Sequence, residues 1–598
     1  MMPQKSMFMF TIGPVQSFIA QARKARDLYA GSFLLSWLIK SAVDFFHSED
    51  IKKVFPEGKI EVMFPSIESE SVPNRIVAVV TGLSDDRKLE LGKKIEQHVR
   101  KQFRFVADKV IKSMGIKPPG EFYEQIESHL EVYWLFYDYD DYGNAYVKAT
   151  MILSDIKKTR MFSAKPQAPG KKCSLNPEKN AIFSLDKQKY LYNAVILDKK
   201  KYKFDLKEFE ALCAVSFVKR FLVEAGIKEF KRFSSVCEVI LKSRLHKYPG
   251  LMEKAEKIIK KDADIIFDIW NNNPPDVEDE AFIEEVKQVV EDIKRETDLT
   301  SYYAVIKFDG DSMGKRYSVP ELKPGCSMEL YHIKLSQKLC EFAQAVDEKL
   351  IKKEEGFVIY AGGEDFLGIV SIDCLFEVLL RLRKEFGKID LSEFYKHDKP
   401  LTFSAGISIA HYKSPLQYVL MVTDEMEHYA KSIDEGKDAF AIAVIKRSGE
   451  IIKTRAKFGK RSRLSEADCS ILENVRDAFK QLYESEVPMS FMYKLKDTIS
   501  RLNLDKLSDR SNNTADNMRE MVKIEIKRLL KKSSYQNRNS KASKNTIVNN
   551  DKTEECVDID KIEECAKILN KLYDNIPFDE DFINMLDVIT FLAREMKM

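Results

Sequence analysis

Hydrophobic positions along this chain fall into two cycles of strand and helix, each followed by a charged helical tract. Phe8-Met9-Phe10-Thr11-Ile12 is a short apolar run that reads as a strand. Gly13-Pro14 turns it, and Val15, Phe18, Ile19 and Ala22 then recur at helical spacing. A second helix is expected after Gly31-Ser32, with Ser32 as its N-cap and Leu34, Leu35, Leu38, Ile39 and Val43 as its core face. Strands are expected over 60–64 and 76–80, a long charged helix over 85–114 and an aromatic strand over 131–137. Strand, helix, paired strands, helix and strand is the order of an α/β sandwich. Residues 155–198 read as irregular, including the Lys165-Pro166 to Lys172-Cys173 segment. Phe209, Leu212, Val215, Val218 and Phe221 open a tract with helical spacing, interrupted by the loop Asn271-Asn272-Asn273-Pro274-Pro275.

The second cycle is cleaner. Tyr302 to Phe308 reads as a strand, followed by a helix over 328–353. Two short β-branched and aromatic runs, Phe357 to Tyr360 and Phe366 to Val370, flank Gly362-Gly363 and read as a hairpin. A helix over 373–386, a strand over 401–409, a helix over 416–433 and a last strand over 439–445 complete it. This is β-α-β-β-α-β with an extra unit, the ferredoxin-like order of polymerase palms and nucleotide cyclases. The expected division is an N-terminal palm-like domain over 1–198, a helical domain over 199–299, a catalytic palm over 300–446 and a C-terminal helical domain over 447–598.

Composition narrows the function classes. A chain of 598 residues is too long for one core. Its 97 basic and 94 acidic side chains nearly cancel, so nucleic-acid binding needs local patches. Two basic stretches qualify, Lys453 to Arg463 and Lys527 to Lys552; the second, rich in Ser and Asn, reads as partly loop. No apolar run is long enough for a bilayer, and the first ten residues carry no signal-peptide pattern. Nine scattered cysteines without a C-x-x-C pair point to a reducing cytoplasm.

The chemistry gathers at two places. Glu364 and Asp365 stand at the tip of the predicted hairpin, and Asp309-Gly310-Asp311 stands at the end of the preceding strand. Asp and Gly are also ordinary turn residues. Both motifs, in this order and with a helix between them, instead form a set of hard oxygen donors suited to magnesium or manganese. Two such ions clamp the attacking and leaving oxygens in phosphoryl transfer. Lys431 lies on the helix before the last strand, where spacing alone leaves it a solvated side chain. The first cycle has no Gly-Gly-acid-acid tip and is expected to lack a metal site.

Several stretches then resemble one family. They are Ile12-Gly13-Pro14-Val15-Gln16-Ser17-Phe18-Ile19, Ala22-Arg23 to Leu28, Gly31-Ser32 to Leu35, Pro73-Asn74-Arg75, Leu212-Cys213-Ala214 with Lys219-Arg220, Asp309 to Lys315, and Gly362-Gly363-Glu364-Asp365. Together they resemble the large polymerase/cyclase-like subunit of type III CRISPR effector complexes, in its Cmr (type III-B) form, over roughly residues 8–445. The resemblance implies two palm-like domains, the second catalytic, with helical domains between and after them. It implies synthesis of an adenylate second messenger from ATP when the complex binds target RNA, with guide RNA and other Cmr-type subunits as partners. Asp309, Glu364 and Asp365 become the catalytic acids, and with Gly310 they would hold two ions of Mg2+ or Mn2+. Gly310, Asp311, Ser312, Lys315, Gly362, Gly363 and Lys431 become nucleotide-binding, Lys431 through the Tyr-x-Ala-Lys stretch shared with diguanylate cyclases.

Three departures from the family pattern matter. The first acid of the tip is Glu364 where Asp is usual. Asn176 stands where a second zinc-binding cysteine would follow Cys173, so no zinc is expected. The histidine-aspartate nuclease domain that opens many members is not evident, and His397-Asp398 reads as surface. Some members of this layout join ATP to S-adenosylmethionine, so the second substrate stays open. A decayed scaffold subunit and a free-standing diguanylate cyclase are the competing functions. The intact acids argue against the first, and the extra helical domains argue against the second.

Overall fold

A computed structural model describes residues 5–66, 72–159, 169–202, 205–230, 233–273, 279–318, 322–395, 400–460, 467–484, 489–502, 517, 519–532, 559–576 and 579–597. Pro166, the His397-Asp398 pair, Arg461, Arg463 and most of 527–552 lie outside them. No described helix is long and apolar enough to cross a membrane.

Strands β1 (Lys5–Gly13), β2 (Lys59–Phe64), β3 (Arg75–Thr81) and β4 (Glu131–Tyr139) form an antiparallel sheet in the order β2-β3-β1-β4. The helices Ala25–Phe46 and Asp85–Met114 are its two crossovers, which is the ferredoxin-like topology. Alternation along β1 explains why it is central. Phe8, Phe10 and Ile12 enter the core beneath the crossover helices, whereas Met7 and Met9 enter a second core on the opposite face. That opposite face is covered by the helix Tyr142–Lys158, which falls partly in the stretch read as irregular. Its buried positions are Tyr142, Ala145, Tyr146, Ala149 and Leu153, a stripe of small and aromatic residues at helical spacing that begins beside Gly143 and Asn144.

The expected helix start at Ser32 is not observed. One helix runs unbroken through Gly31 and Ser32, capped at Lys24 with Asp27 accepting from the Arg23 and Lys24 amides at 3.2 and 3.1 Å. Gly31 serves close approach, since a Cβ there would meet Lys219 Cε at 3.0 Å. Lys219 donates to the Gln21 carbonyl at 2.9 Å. Arg220 donates to Asp27 through Nε at 2.5 Å and Nη2 at 2.7 Å, both side chains fully buried. The Lys219-Arg220 pair therefore locks the turn between the first two helices.

Three two-residue strands, β5 (Phe183–Ser184), β6 (Val195–Ile196) and β7 (Ala211–Leu212), form a small sheet beside the first core. The tract expected to be one helical domain divides its packing here. Leu206, Leu212, Phe217 and Phe221 join the first core, and Cys237 to Ile293 pack under the second sheet. Cys173 is buried near Cys213, and both thiols bond to Ser216 Oγ, at 3.5 and 3.3 Å.

The second sheet contains β8 (Tyr302–Gly310), β9 (Gly356–Gly362), β10 (Asp365–Ser371), β11 (Phe403–His411), β12 (Ala439–Ile445) and β13 (Ile451–Lys457), ordered β13-β12-β11-β8-β10-β9. Its β11-β8-β10-β9 half repeats the first sheet's order. The Leu416–Lys431 helix then crosses over to place β12 parallel to β11. Gly406 lets this helix approach, since a Cβ there would meet the Glu427 amide at 2.3 Å and the Thr423 carbonyl at 2.4 Å.

The last strand corrects a reading. Residues 447–598 were expected to be helical, yet β13 pairs antiparallel with β12 before the C-terminal helices begin. Lys453, Arg455 and Lys457 are its outward positions, alternating with buried Thr454 and Ala456. Lys453 pairs with Glu425 at 2.5 Å and Lys457 with Asp434 at 2.9 Å, so these charges are consumed inside the chain. The C-terminal helix Asp579–Lys597 lies along the free edge of β13. Asp581 accepts the Arg455 amide at 3.2 Å and Asn584 Nδ2 donates to the Lys453 carbonyl at 2.8 Å.

Candidate active site

The acids meet where β8 ends and the β9–β10 hairpin turns. β8 pairs with β10, bringing Phe308 opposite Phe366, so the strand end and the hairpin tip are neighbours by register. The Gly310 amide donates to the Glu364 carbonyl at 3.1 Å and ties them together. Only glycine fits at 310, because a Cβ would meet Met313 Cγ at 2.7 Å and Glu364 Cβ at 2.9 Å. Gly363 adopts φ of 73°, the left-handed turn conformation expected of the tip. Gly362 lies under the Tyr360 ring, whose hydroxyl donates to the Gly362 carbonyl at 3.2 Å. Tyr360 and Ala361 also border a cavity of about 620 Å3 that separates β9 from Ser32, Phe33 and Trp37 of the Ala25–Phe46 helix.

Asp309, on the β8 face toward the crossover helix, accepts from Lys431 Nζ at 2.5 Å. Lys431 also reaches Glu427 at 2.5 Å, and Lys307 reaches Glu427 at 3.2 Å and Asp424 at 2.5 Å. The Asp309 and Asp365 carboxyls are close enough to act on each other's ionisation. Burial would raise Asp309, but Asp365 and Lys431 outweigh it and hold this carboxyl below the usual range. Asp365 is pushed well above that range, first by loss of water around its carboxyl, then by the neighbouring Asp309 carboxyl and the like charge of Glu364. Glu364 is raised by burial and by Asp309, and its Oε2 accepts from Tyr317 Oη at 3.4 Å.

Among the described residues no group of three or more His, Cys, Asp or Glu side chains stands in metal-holding geometry. Glu364 is engaged by Tyr317, and Asp309 by Lys431. The donor set nevertheless fits a hard divalent cation. It is all oxygen, and two of its carboxyls are held above their usual range, first by burial and then by the neighbouring acids.

Not every predicted residue joins the cluster. Asp311 is buried and turned away: it accepts from Thr402 Oγ1 at 2.9 Å, Ser404 Oγ at 2.8 Å and the Asp438 amide at 3.0 Å. It braces β8 against β11 and β12. The chain turns immediately after it, at Ser312, with φ of 58°. Ser312 and Lys315 are exposed on the rim.

Other neighbours were not anticipated. Arg75, at the start of β3 in the first palm, acts electrostatically on Tyr146, Glu364 and Lys157. Phe64 of the first palm packs against Tyr317, with ring centroids 5.7 Å apart and the rings tilted by 40°. Pro73-Asn74-Arg75 was visible as a motif, but its place at the other palm's acids depends on domain packing.

A six-stranded sheet built on a ferredoxin-like core, with acids at the first strand's end and at a Gly-Gly hairpin tip, is the palm of nucleotidyl cyclases and polymerases. Residues 302–441 match the family described as Cas10/Cmr2, second palm domain, and residues 7–108 match CRISPR-associated protein Cmr2, N-terminal. Both palm regions of the chain are thus similar to those of the Cas10/Cmr2 family. The chain is 25% identical over 556 residues to the CRISPR system Cmr subunit Cmr2 of Pyrococcus furiosus, covering 73% of this chain and 61% of that protein. It thus spans about three-fifths of that relative's length. In fold it is similar to a chain of the type III-B Cmr-beta cryo-EM structure in the apo state, with a TM-score of 0.63, 14% identity and coverage of 98% of this chain and 82% of that one. The Cmr-beta structure bound to cognate target RNA gives a TM-score of 0.59 at 14% identity, covering 99% and 83%.

Proposed function

We propose that this chain is the large subunit of a type III-B CRISPR effector complex and makes an adenylate messenger from ATP when target RNA is bound. The observation that carries the reading is the meeting of Asp309, Glu364 and Asp365 at one sheet end, with Lys431 against Asp309. Guide RNA, target RNA and other Cmr-type subunits are its proposed partners, by likeness to complexes that contain them. In the reaction, the 3′-hydroxyl of one nucleotide attacks the α-phosphate of another and pyrophosphate leaves.

Asp309, Glu364, Asp365 and the Gly310 carbonyl would hold Mg2+ or Mn2+. When bound, such ions neutralise charge that develops on the transferring phosphate. The chain's own residues do the rest. Gly363 presents backbone with open space beside it, so phosphates can approach the tip, whereas the space beside Gly362 is filled by the Tyr360 ring. Lys431 and Lys307 set positive charge beside Asp309 and offset part of the acids' repulsion. Arg75 brings a cation from the first palm within electrostatic reach of Glu364, where it would face the polyphosphate. The cavity beside Tyr360, with its aromatic and serine lining, has room for a base.

Arg75→Ala is expected to raise the KM for ATP about tenfold, as loss of a charge-assisted bond to phosphate would, with kcat nearly unchanged. Steady-state kinetics on the assembled complex reads this out. Unchanged KM would remove the first palm from phosphate binding.

The proposal itself is tested by nucleotide incorporation with and without target RNA, and with and without S-adenosylmethionine. RNA-dependent product supports it, and chromatography separates oligoadenylates from an ATP–S-adenosylmethionine conjugate. No product under any condition would leave a scaffold subunit.

A further inference from the structure

The last turn of the Leu416–Lys431 helix is held from outside the palm. Tyr429 Oη donates to Asp581 Oδ1 at 3.1 Å, and Asp581, in the first turn of the C-terminal helix, is only 3% exposed. The same carboxylate accepts the Arg455 amide at 3.2 Å and pairs with Arg455 Nε at 3.5 Å. The Asp581 carbonyl accepts from Thr454 Oγ1 at 2.6 Å. Arg455 lies over the Tyr429 ring at 4.2 Å and donates from Nη1 to the Tyr429 carbonyl at 3.2 Å and to Ser432 Oγ at 2.8 Å. A helix C-terminus leaves carbonyls open and carries partial negative charge, so an arginine there both caps and neutralises it.

Lys431 is the final residue of that turn. Its stem is long and flexible, so where Nζ arrives depends on the backbone it leaves from. Nζ stands 2.5 Å from Asp309 and 2.5 Å from Glu427. Three links thus run from the C-terminal helix to a metal-site acid: Asp581 to Arg455 and Tyr429, these to the helix end, and the helix end to Asp309 through Lys431.

We infer that Asp581 is a positioning residue for Lys431, acting through Arg455 and Tyr429, so that the seating of the C-terminal helix decides whether the lysine stands at Asp309. The C-terminal helix has a separate anchor in Asn584, which bonds to the Lys453 carbonyl on β13 and serves as an internal control. The inference rests on the nucleotidyl-transfer reading for its activity readout only.

The test combines exchange and kinetics on the full chain. The Ser432 and Ile433 amides bond to the His428 and Ala430 carbonyls at 3.1 and 3.2 Å and report the helix end. In Asp581→Ala these amides are expected to exchange roughly tenfold faster, whereas in Asn584→Ala they exchange as in the parent. In the assembled complex, Asp581→Ala lowers kcat on the order of tenfold, and adding Lys431→Ala causes no further loss, the mark of two residues acting as one unit. Asp581→Asn, which still accepts from Tyr429 and the Arg455 amide, recovers most of the rate. Asn584→Ala combined with Lys431→Ala gives additive effects. If Asp581→Ala does not fold, Arg455→Lys loosens the cap while leaving the strand amide bonded to Asp581, and the same outcomes apply. Unchanged exchange at Ser432 and Ile433, or additive losses for Asp581 and Lys431, overturns the inference. A parent complex that makes no product refutes the nucleotidyl-transfer reading instead, and the exchange rates then decide the inference alone.

Discussion

Replacing Glu364 and Asp365 together by Ala is expected to abolish nucleotide synthesis while leaving the thermal melt and target-RNA affinity near those of the parent. Neither side chain supports a core: Asp365 is exposed as a residue and only its carboxyl end is shielded, among the other acids, and Glu364 keeps one long bond, to Tyr317. The link that shapes the tip, from the Gly310 amide to the Glu364 carbonyl, is backbone and survives. Both carboxyls are held above their usual range, so their removal relieves repulsion when no cation is bound. During reaction the same loss leaves charge on the phosphates uncompensated. A single well-placed electrostatic contact is worth about 3 kcal/mol, and the double change removes at least two, so the rate should fall by more than about a hundredfold. Asp309→Asn should behave alike, since it keeps the shape, removes the charge and breaks the pair with Lys431. Messenger yield, melting and RNA affinity are measured together. Near-normal yield would move the chemistry elsewhere, and lost yield with lost folding would make the acids structural.

The largest effect on stability is expected from Arg220→Ala. Arg220 and Asp27 are both fully buried, and Glu210 joins them at 3.4 Å. Removing the guanidinium leaves an uncompensated buried carboxylate, which costs roughly 3–5 kcal/mol. Two of the three tryptophans, Trp37 and Trp134, lie in the first palm, so denaturant titration by fluorescence reports that unit. Its midpoint should fall sharply. Replacing Asp27 and Arg220 together by apolar residues should cost less, because the Asp27 charge leaves with its partner and Glu210 keeps Arg23 at 3.5 Å. The pH dependence has a definite sign. Burial alone would raise Asp27, but Arg220 overcomes it and holds the carboxyl far below its usual value. A depressed folded value stabilises above the unfolded value, about 3.9, and that stability drains away as pH falls below it. The Arg220→Ala protein should lose this acid-side dependence along with its stability. A midpoint within experimental error of the parent's would show that the cluster is not a structural keystone.

The catalytic strand and hairpin were legible because their signals are local. β8 alternates at period two, and Gly362-Gly363 between apolar runs can hardly be anything but a tight turn. What the sequence hid was set by long-range closure. Lys431 meets Asp309 only because a crossover helix lies against β8, 122 residues later, through the gap left by Gly406. Asp311 looked like a weaker ligand because it stands in the Asp-Gly-Asp motif of the resemblance, but Thr402, Ser404 and the Asp438 amide hold it inward, bracing three strands. Arg75 sits a domain away from the acids it faces. β13 was missed because lysine and arginine occupy alternate positions, and on a charged stretch alternation is easily read as helix surface.

The sheet's passage beyond residue 446 has a consequence for handling the protein. Every residue of β12, from Ala439 to Ile445, is buried, and the sequence AFAIAVI carries no charge. β13 covers its outer side, and the C-terminal helix in turn occupies donor and acceptor positions on β13. A chain cut after 446 would bare β12 as an unpaired apolar edge, the kind of surface that recruits strands from other molecules. Such a fragment should precipitate or form fibrils even if its palm were correctly folded. Solubility would return when β13 and the Asp579–Lys597 helix are kept.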